Sequence, residues 1–397
     1  MPWRGGEALS ALNQIFVVTV MNLRAIPQRI GSSLVIVIGM GAVVAVVISV
    51  LSMSDGFLDS VDRTGRADRA IVTAGGAASE SASSLPRDAI PLIMDAPGIK
   101  KGDNGKPIAS ADVFAYLEAI KKSDGLMEPG TLHGVGPEAF ALLPQIHLVS
   151  GRMFRPAVHE LIVGRMMQSQ FKGFDVGSQL SLPEGDWTIV GSFESDGDQH
   201  ESELLGDAET VMSAYRRTAF NSMTVMLDSP AAFDTFKDAL TTNPALNVDV
   251  IRENDYFAKL SKPLDDFLTL VAYAVGGIMG LGAVFGALNT MYSAVSTRSI
   301  EIATLRAIGF GAGPVVISVL AEALLLTLLG AVLGAATAWL FFNGNVVVSD
   351  YYIYSMVVRP ALLVLGVAWA VAIGMIGGLF PAIRAARQPI ATALRAT

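Results

Sequence analysis

The chain has no cysteine among its 397 residues. This excludes disulfides, thiolate metal sites and cysteine nucleophiles, and leaves the compartment open. Histidine is almost as scarce: His133, His147, His159 and His200 are the full set, and they share no ligand spacing. The phosphate-loop pattern Gly-x4-Gly-Lys-Ser/Thr is absent, since Gly105-Lys106 is followed by Pro107. No Gly-x-Ser-x-Gly nucleophile elbow occurs either. His200-Glu201-Ser202-Glu203 starts like a zinc-protease helix but has Leu204 where the second ligand belongs. Asp196 and Asp198 start like an EF-hand loop, yet His200 and Glu201 stand where an oxygen ligand and a glycine are needed. No covalent or metal catalysis is expected, no catalytic residue is assigned, and no cofactor is expected in this chain.

Charge is missing from four long stretches. Gly31–Ser54, Phe267–Thr297, Ala323–Ser349 and Pro360–Ile383 contain no Asp, Glu, Lys or Arg. Each exceeds the roughly 20 apolar residues that cross a bilayer core as a helix. A helix is required because lipid offers backbone N–H and C=O groups no partners. The first stretch starts only after residue 30 and no A-x-A site closes it, so it reads as a retained span and not a signal peptide. The expected fold is therefore a membrane protein of four transmembrane helices with a large mixed α+β extracytoplasmic domain inserted between helices 1 and 2. The divisions are 1–29 interfacial, 30–54 first span, 55–264 external domain, 265–295 second span, 296–313 cytoplasmic loop, 314–342 third span, 343–359 short external loop, 360–383 fourth span and 384–397 tail.

Basic residues set the orientation. Arg4, Arg24, Arg29, Arg298, Arg306, Arg384, Arg387 and Arg395 flank one side, and Arg359 alone marks the other short loop. This bias puts both termini and the Arg298 loop in the cytoplasm. Residues 55–262 carry 19 Lys/Arg against 30 Asp/Glu. The net charge of −8 thus belongs to the external domain, and so acidic a surface argues against nucleic acid as a partner.

Residues 8–26 place Leu9, Leu12, Phe16, Val20 and Leu23 at helical spacing, which suggests an amphipathic helix in the headgroup layer, ended by Pro27. In the external domain, Glu160–Gly164, Gln179–Leu182, Trp187–Val190, Ser222–Met226 and Asn247–Ile251 read as strands. Arg165–Gln170, Ala111–Lys122 and Pro230–Leu240 read as helices, the last with Asp228 or Ser229 as its cap. The glycine pairs Gly276/Gly280, Gly282/Gly286, Gly330/Gly334 and Gly374/Gly378 have the small-xxx-small spacing of close helix packing. Glu322 is the one ionisable residue inside the third apolar helix, placed to reach headgroups or to pair across helices.

The link Ser296–Phe310 reads as a short helix stopped by Gly309-Phe-Gly-Ala-Gly313-Pro314. Arg298 and Glu301 can pair at i,i+3, and Arg298, Ile302, Leu305 and Gly309 line one side. A stripe of this kind suits either a groove on a soluble partner or the membrane surface.

Arg298, Glu301, Ile302, Leu305, Arg306, Ala307 and Gly309 match, position for position, an R-x-x-EI-x-x-LRA-x-G signature. On this motif the chain resembles the ABC transporter permeases related to MacB, FtsX and LolC/LolE. Ala321-Glu322-Ala323 with Gly330 and Gly334 is similar to that family's third span. Phe380-Pro-Ala-Ile-Arg384-Ala-Ala-Arg387 with Ala393-Leu394-Arg395 is similar to its C-terminal segment, and Asn22-Leu23-Arg24 to its opening one. Thr297 and Ser299 stand where many members carry basic residues.

The resemblance implies a permease subunit, not an enzyme, that works as a homodimer or with a paired permease. ATP and Mg would be bound by a separate ABC ATPase subunit, which the Arg298–Gly309 segment would contact as a coupling helix. Membrane lipid is an implied partner, and a periplasmic adaptor protein is left open. The external part would be a MacB-like periplasmic core domain, moved outside the bacterial plasma (inner) membrane by mechanotransmission for export or extraction of a substrate. The alternative it carries is an FtsX-like signal transmitter that activates an extracytoplasmic cell-wall hydrolase.

Overall fold

The computed structural model describes residues 14–21, 30–349 and 352–389. Residues 14–21 are helical. The remainder of the amphipathic helix expected over 8–26, and the tail from residue 390, lie outside the described residues. Two compact units are present, one built on the apolar helices and the other on residues 56–265 together with 345–356.

Four helices, Ile30–Thr64, Glu253–Thr297, Ala312–Phe342 and Pro360–Arg387, are long and apolar enough to cross a membrane. Their outward side chains suit lipid: Ile278, Phe285, Leu340 and Val364 are all largely exposed. The first two helices continue well past their charge-free stretches. Glu253–Thr297 has 45 residues, with Pro263 inside it, more than twice the roughly 20 that cross the hydrocarbon core.

Small residues let these helices approach. A Cβ added at Gly330 would lie 2.5 Å from the Val37 carbonyl oxygen, and one at Gly334 only 2.3 Å from that of Gly41. Gly276 and Gly280 face Val47 and Trp369, while Gly374 and Gly378 face Thr327 and Ala323. The remaining pair has a different setting. Nothing lies within 4 Å of a Cβ built at Gly282 or Gly286, so neither packs against another described helix of this chain. The spacing identifies a smooth face but not what meets it.

The second unit carries the strands β1 (Arg69–Ala74), β2 (Leu85–Pro86), β3 (Ala109–Ile120), β4 (Met127–Val135), β5 (His147–Gly151), β6 (Glu160–Gly164), β7 (Gln179–Leu182), β8 (Gly185–Glu194), β9 (Glu203–Asp207), β10 (Ala219–Phe220), β11 (Ser222–Met226), β12 (Val248–Arg252), β13 (Val346–Ser349) and β14 (Tyr352–Ser355). Ten form one sheet in the order β12-β1-β11-β3-β4-β9-β6-β8-β5, with β7 on β8. Within it only β4/β9 and β6/β8 run parallel. The core beneath is closed by Trp187, Phe171, Phe236 and Ile93, all fully buried.

Two readings change here. Ala111–Lys122, expected as a helix, is mostly β3. Its first residues pair with β11 and the rest with β4, so inward Val113, Ala115 and Ala119 alternate with outward Tyr116, Glu118 and Ile120. Sheet pairing overrides the helix preference of Ala, Leu and Glu. The 343–359 link, expected as a short loop, contains the hairpin β13–β14, and Ile353 is buried in the core of the second unit. The strands Glu160–Gly164, Gln179–Leu182 and Ser222–Met226 stand as expected, as does the helix Arg165–Gln170. Pro230–Leu240 is a 3-10 turn running into Phe233–Thr241, preceded by Ser229 whose side chain makes no capping bond.

Candidate functional site

Between the second and third apolar helices lies the short helix Ser299–Ala307. Glu301 in its first turn and Arg306 in its last both complement the helix dipole. Gly309 ends the segment at φ +106°, a conformation in which any side chain would be strained.

The helix is pinned to its own bundle at both ends. At the start, buried Arg298 brings Nη1 to 3.4 Å from Glu322 Oε2 and Nε to 3.9 Å from Glu301 Oε2. At the end, Arg306 Nη1 donates to the carbonyl oxygens of Ala386 at 2.7 Å and Gln388 at 3.1 Å. Between them Ile302 is buried in a cluster with Val295, Val319 and Ala385, and Ala303 is buried as well.

The predicted stripe is therefore divided. Arg298 and Ile302 turn inward, Leu305 is half-buried, and Gly309 is exposed. Arg298 turns in because Glu322 is there to neutralise it; neither charge would be tolerated alone in an apolar setting. The outward ridge consists of Ile300, Glu301, Thr304, Ala307 and Ile308, with Ile308 71% exposed. No motif in the sequence marks Ile300, Thr304 or Ile308. Their exposure depends on which face the bundle takes, which periodicity alone does not decide.

The second unit holds a cluster that the sequence conceals. A cavity of about 410 Å³ is lined by Glu80, Asp112, His133, His200, Glu203 and Glu253, among others. His133 stands on β4 and Glu203 on β9, while His200 belongs to the 3-10 turn Gln199–Ser202 just before β9. His133 Nδ1 lies 2.9 Å from Glu203 Oε2, and His200 Nδ1 lies 3.3 Å from the same oxygen. Asp112 Oδ1 is 3.7 Å from His133 Nε2.

Burial alone would lower the His133 imidazole, but the Glu203 carboxylate, helped by Asp112, overrides it and pushes the ring up to about 10. Burial would likewise raise Glu203, yet His133 and His200 hold it down at about 2. Glu80 is pushed up to about 7, chiefly by burial.

Two family models match the chain. The MacB-like periplasmic core domain matches residues 31–243, and the FtsX-like permease C-terminal domain matches residues 273–390. The macrolide export ATP-binding/permease protein MacB of Campylobacter jejuni is 29% identical over 154 residues, covering 38% of this chain and 20% of MacB. The cell division protein FtsX of Mycobacterium tuberculosis is 28% identical over 161 residues, covering 37% of this chain and 53% of FtsX. The ABC transporter permease YknZ of Bacillus subtilis is 28% identical over 128 residues, 32% of each chain. The chain thus spans a fifth to about half the length of these relatives. Among solved structures, the periplasmic region of MacB from Actinobacillus actinomycetemcomitans aligns with 51% of this chain and 97% of its own, at 12% identity and a TM-score of 0.37.

Proposed function

Because the chain belongs to the MacB- and FtsX-like family of ABC transporter permeases, we propose that it couples ATP hydrolysis by a separate ABC ATPase subunit to movement of its extracytoplasmic domain, for export or extraction of a substrate. The observation that carries this reading is the helix Ser299–Ala307. One face is locked to the bundle through Arg298, Ile302 and Arg306, and the other presents Ile300, Glu301, Thr304 and Ile308. A helix held this rigidly can pass a push to the spans, because its anchors are charge-assisted contacts inside a packed core.

The long helices support the same reading. Ile30–Thr64 and Glu253–Thr297 run for 35 and 45 residues, the second with Pro263 inside it, and each carries an apolar span on into a polar segment. In this reading the chain sits in the bacterial plasma membrane with both termini cytoplasmic, following the arginine bias. It has no catalytic site of its own, and ATP and Mg belong to the partner. It works as a dimer, with the smooth face at Gly282 and Gly286 open to a second permease copy.

The test is reconstitution in nanodiscs with a candidate ABC ATPase subunit. Co-purification, and ATP hydrolysis that changes the accessibility of probes on the external domain, are the expected results. Mapping residues 296–313 to the exterior, or full activity without any ATPase, would overturn the reading.

A further inference from the structure

The histidine pair in the second unit has the chemistry of a metal site. Both Nδ1 atoms converge on one oxygen, Glu203 Oε2, at 2.9 and 3.3 Å. One ligand atom from each of His133, His200 and Glu203 lies within 4.8 Å of the other two. A tetrahedral zinc ion with bonds near 2.1 Å needs donors about 3.4 Å apart, so the two measured separations require only a slight expansion.

The surroundings are built for such a site. The turn carrying His200 is fixed before any ligand arrives. Asp198 Oδ1 accepts from the His200 N–H at 2.9 Å, Thr64 Oγ1 accepts from the Gln199 N–H at 3.0 Å, and Glu201 Oε1 accepts from the N–H groups of Ser195 and Gly197. Asp112 stands on the far side of the His133 ring, and its Oδ2 accepts from Thr224 Oγ1 at 3.1 Å. A carboxylate behind a ligating imidazole orients the ring and raises its basicity.

The cluster is polar and buried, with His133 and His200 6% and 8% exposed. Both rings compete for a single carboxylate oxygen, an arrangement that a simple ion pair explains poorly.

We propose that His133, His200 and Glu203 bind a first-row transition-metal dication, with zinc the best match. Two imidazoles and a carboxylate with no thiolate suit zinc, nickel or iron and disfavour magnesium and calcium, which take all-oxygen shells. Three protein ligands leave one coordination position, and all three residues line the 410 Å³ cavity. The ion would also tie β4 to the His200 turn, two elements otherwise linked here through Glu203.

The experiment uses the full chain in detergent micelles, stripped with EDTA, dialysed, and titrated with zinc chloride against a chromophoric chelator. One zinc per chain is expected, with binding weakened at least about 100-fold in His133→Ala, His200→Ala and Glu203→Gln. In the wild type, zinc should raise Tm, and equimolar magnesium should not. Because an alanine variant can misfold, zinc X-ray absorption on the wild type gives an independent reading, with two imidazoles in the first shell expected. No zinc binding in the wild type at micromolar concentration, a shell without histidine, or unchanged stoichiometry in folded His133→Ala/His200→Ala would each overturn the proposal.

Discussion

Arg298 and Glu322 meet inside the apolar bundle, Nη1 to Oε2 at 3.4 Å, with side chains only 11% and 6% exposed. One opens the short helix between the second and third spans, and the other lies within the third span, so the pair fastens the helix to the span. Removing one partner of a buried pair leaves an uncompensated charge and costs about 3–5 kcal/mol. The lower end is expected for Glu322→Leu, because Arg298 also lies 3.9 Å from Glu301. Arg298→Met/Glu322→Leu together should recover most of the loss. Tm measured in detergent checks this, and single variants indistinguishable from wild type would show that the pair contributes nothing.

The two faces of Ser299–Ala307 should separate experimentally. Glu301→Lys with Ile308→Asp alters only exposed positions. The combination should cut co-purification of the ATPase subunit at least about tenfold and leave Tm within a few degrees. Ile302→Ala does the reverse: it opens a void in a buried cluster and costs about 2–4 kcal/mol. If the Ile302 variant alone abolished ATPase binding at unchanged Tm, the assignment of faces would be inverted.

These faces also show where the sequence stops informing. The spans and the strands β6, β7, β8, β11 and β12 are legible because each depends on a local pattern: charge-free length for helices in lipid, alternation or a short apolar run for strands. The segment Ala111–Lys122 misleads because its alanines, leucine and glutamate favour helix, while pairing with β11 and β4 decides otherwise. The stripe on Ser299–Ala307 is legible as a stripe, but whether Ile302 faces a partner or the bundle depends on tertiary contacts. The cluster of His133 and Glu203 is invisible to any spacing rule, since the two are 70 residues apart and meet only because β4 lies beside β9.

Glycines that share a sequence spacing should differ in tolerance. A Cβ at Gly334 would sit 2.3 Å from the Gly41 carbonyl oxygen, and backbone cannot yield as a flexible side chain can. Gly334→Ala should therefore lower Tm by several degrees by pushing the first and third spans apart. Gly282→Ala has open space at the same atom and should leave monomer stability within about 0.5 kcal/mol. Cross-linking yield separates a second effect: Gly282→Leu with Gly286→Leu should reduce dimer if a second copy packs there. Equal Tm losses for Gly334→Ala and Gly282→Ala would refute the packing described.

Glu80 gives the external domain a pH dependence of defined sign. Its carboxyl, pushed up to about 7, is raised mainly by burial and then by Asp112 and Glu253, against the opposing pull of the Ser222 hydroxyl and His133. An ordinary glutamate titrates near 4.3. The folded state therefore holds this proton more tightly than the unfolded chain does. The resulting stabilisation is complete below about pH 4.3 and is lost as pH rises through about 7. Glu80→Gln keeps an oxygen to accept from Ser222 Oγ, a bond of 2.6 Å in the wild type, but has no proton to lose. Relative to wild type, the variant should gain roughly 1–3 kcal/mol between pH 5 and pH 8, since one pKa unit corresponds to about 1.4 kcal/mol. Thermal unfolding of the full chain across that range, with EDTA present throughout, measures it. Parallel Tm curves for the two proteins would mean that Glu80 titrates alike in the folded and unfolded states, and that burial in the cavity is not what sets its proton affinity.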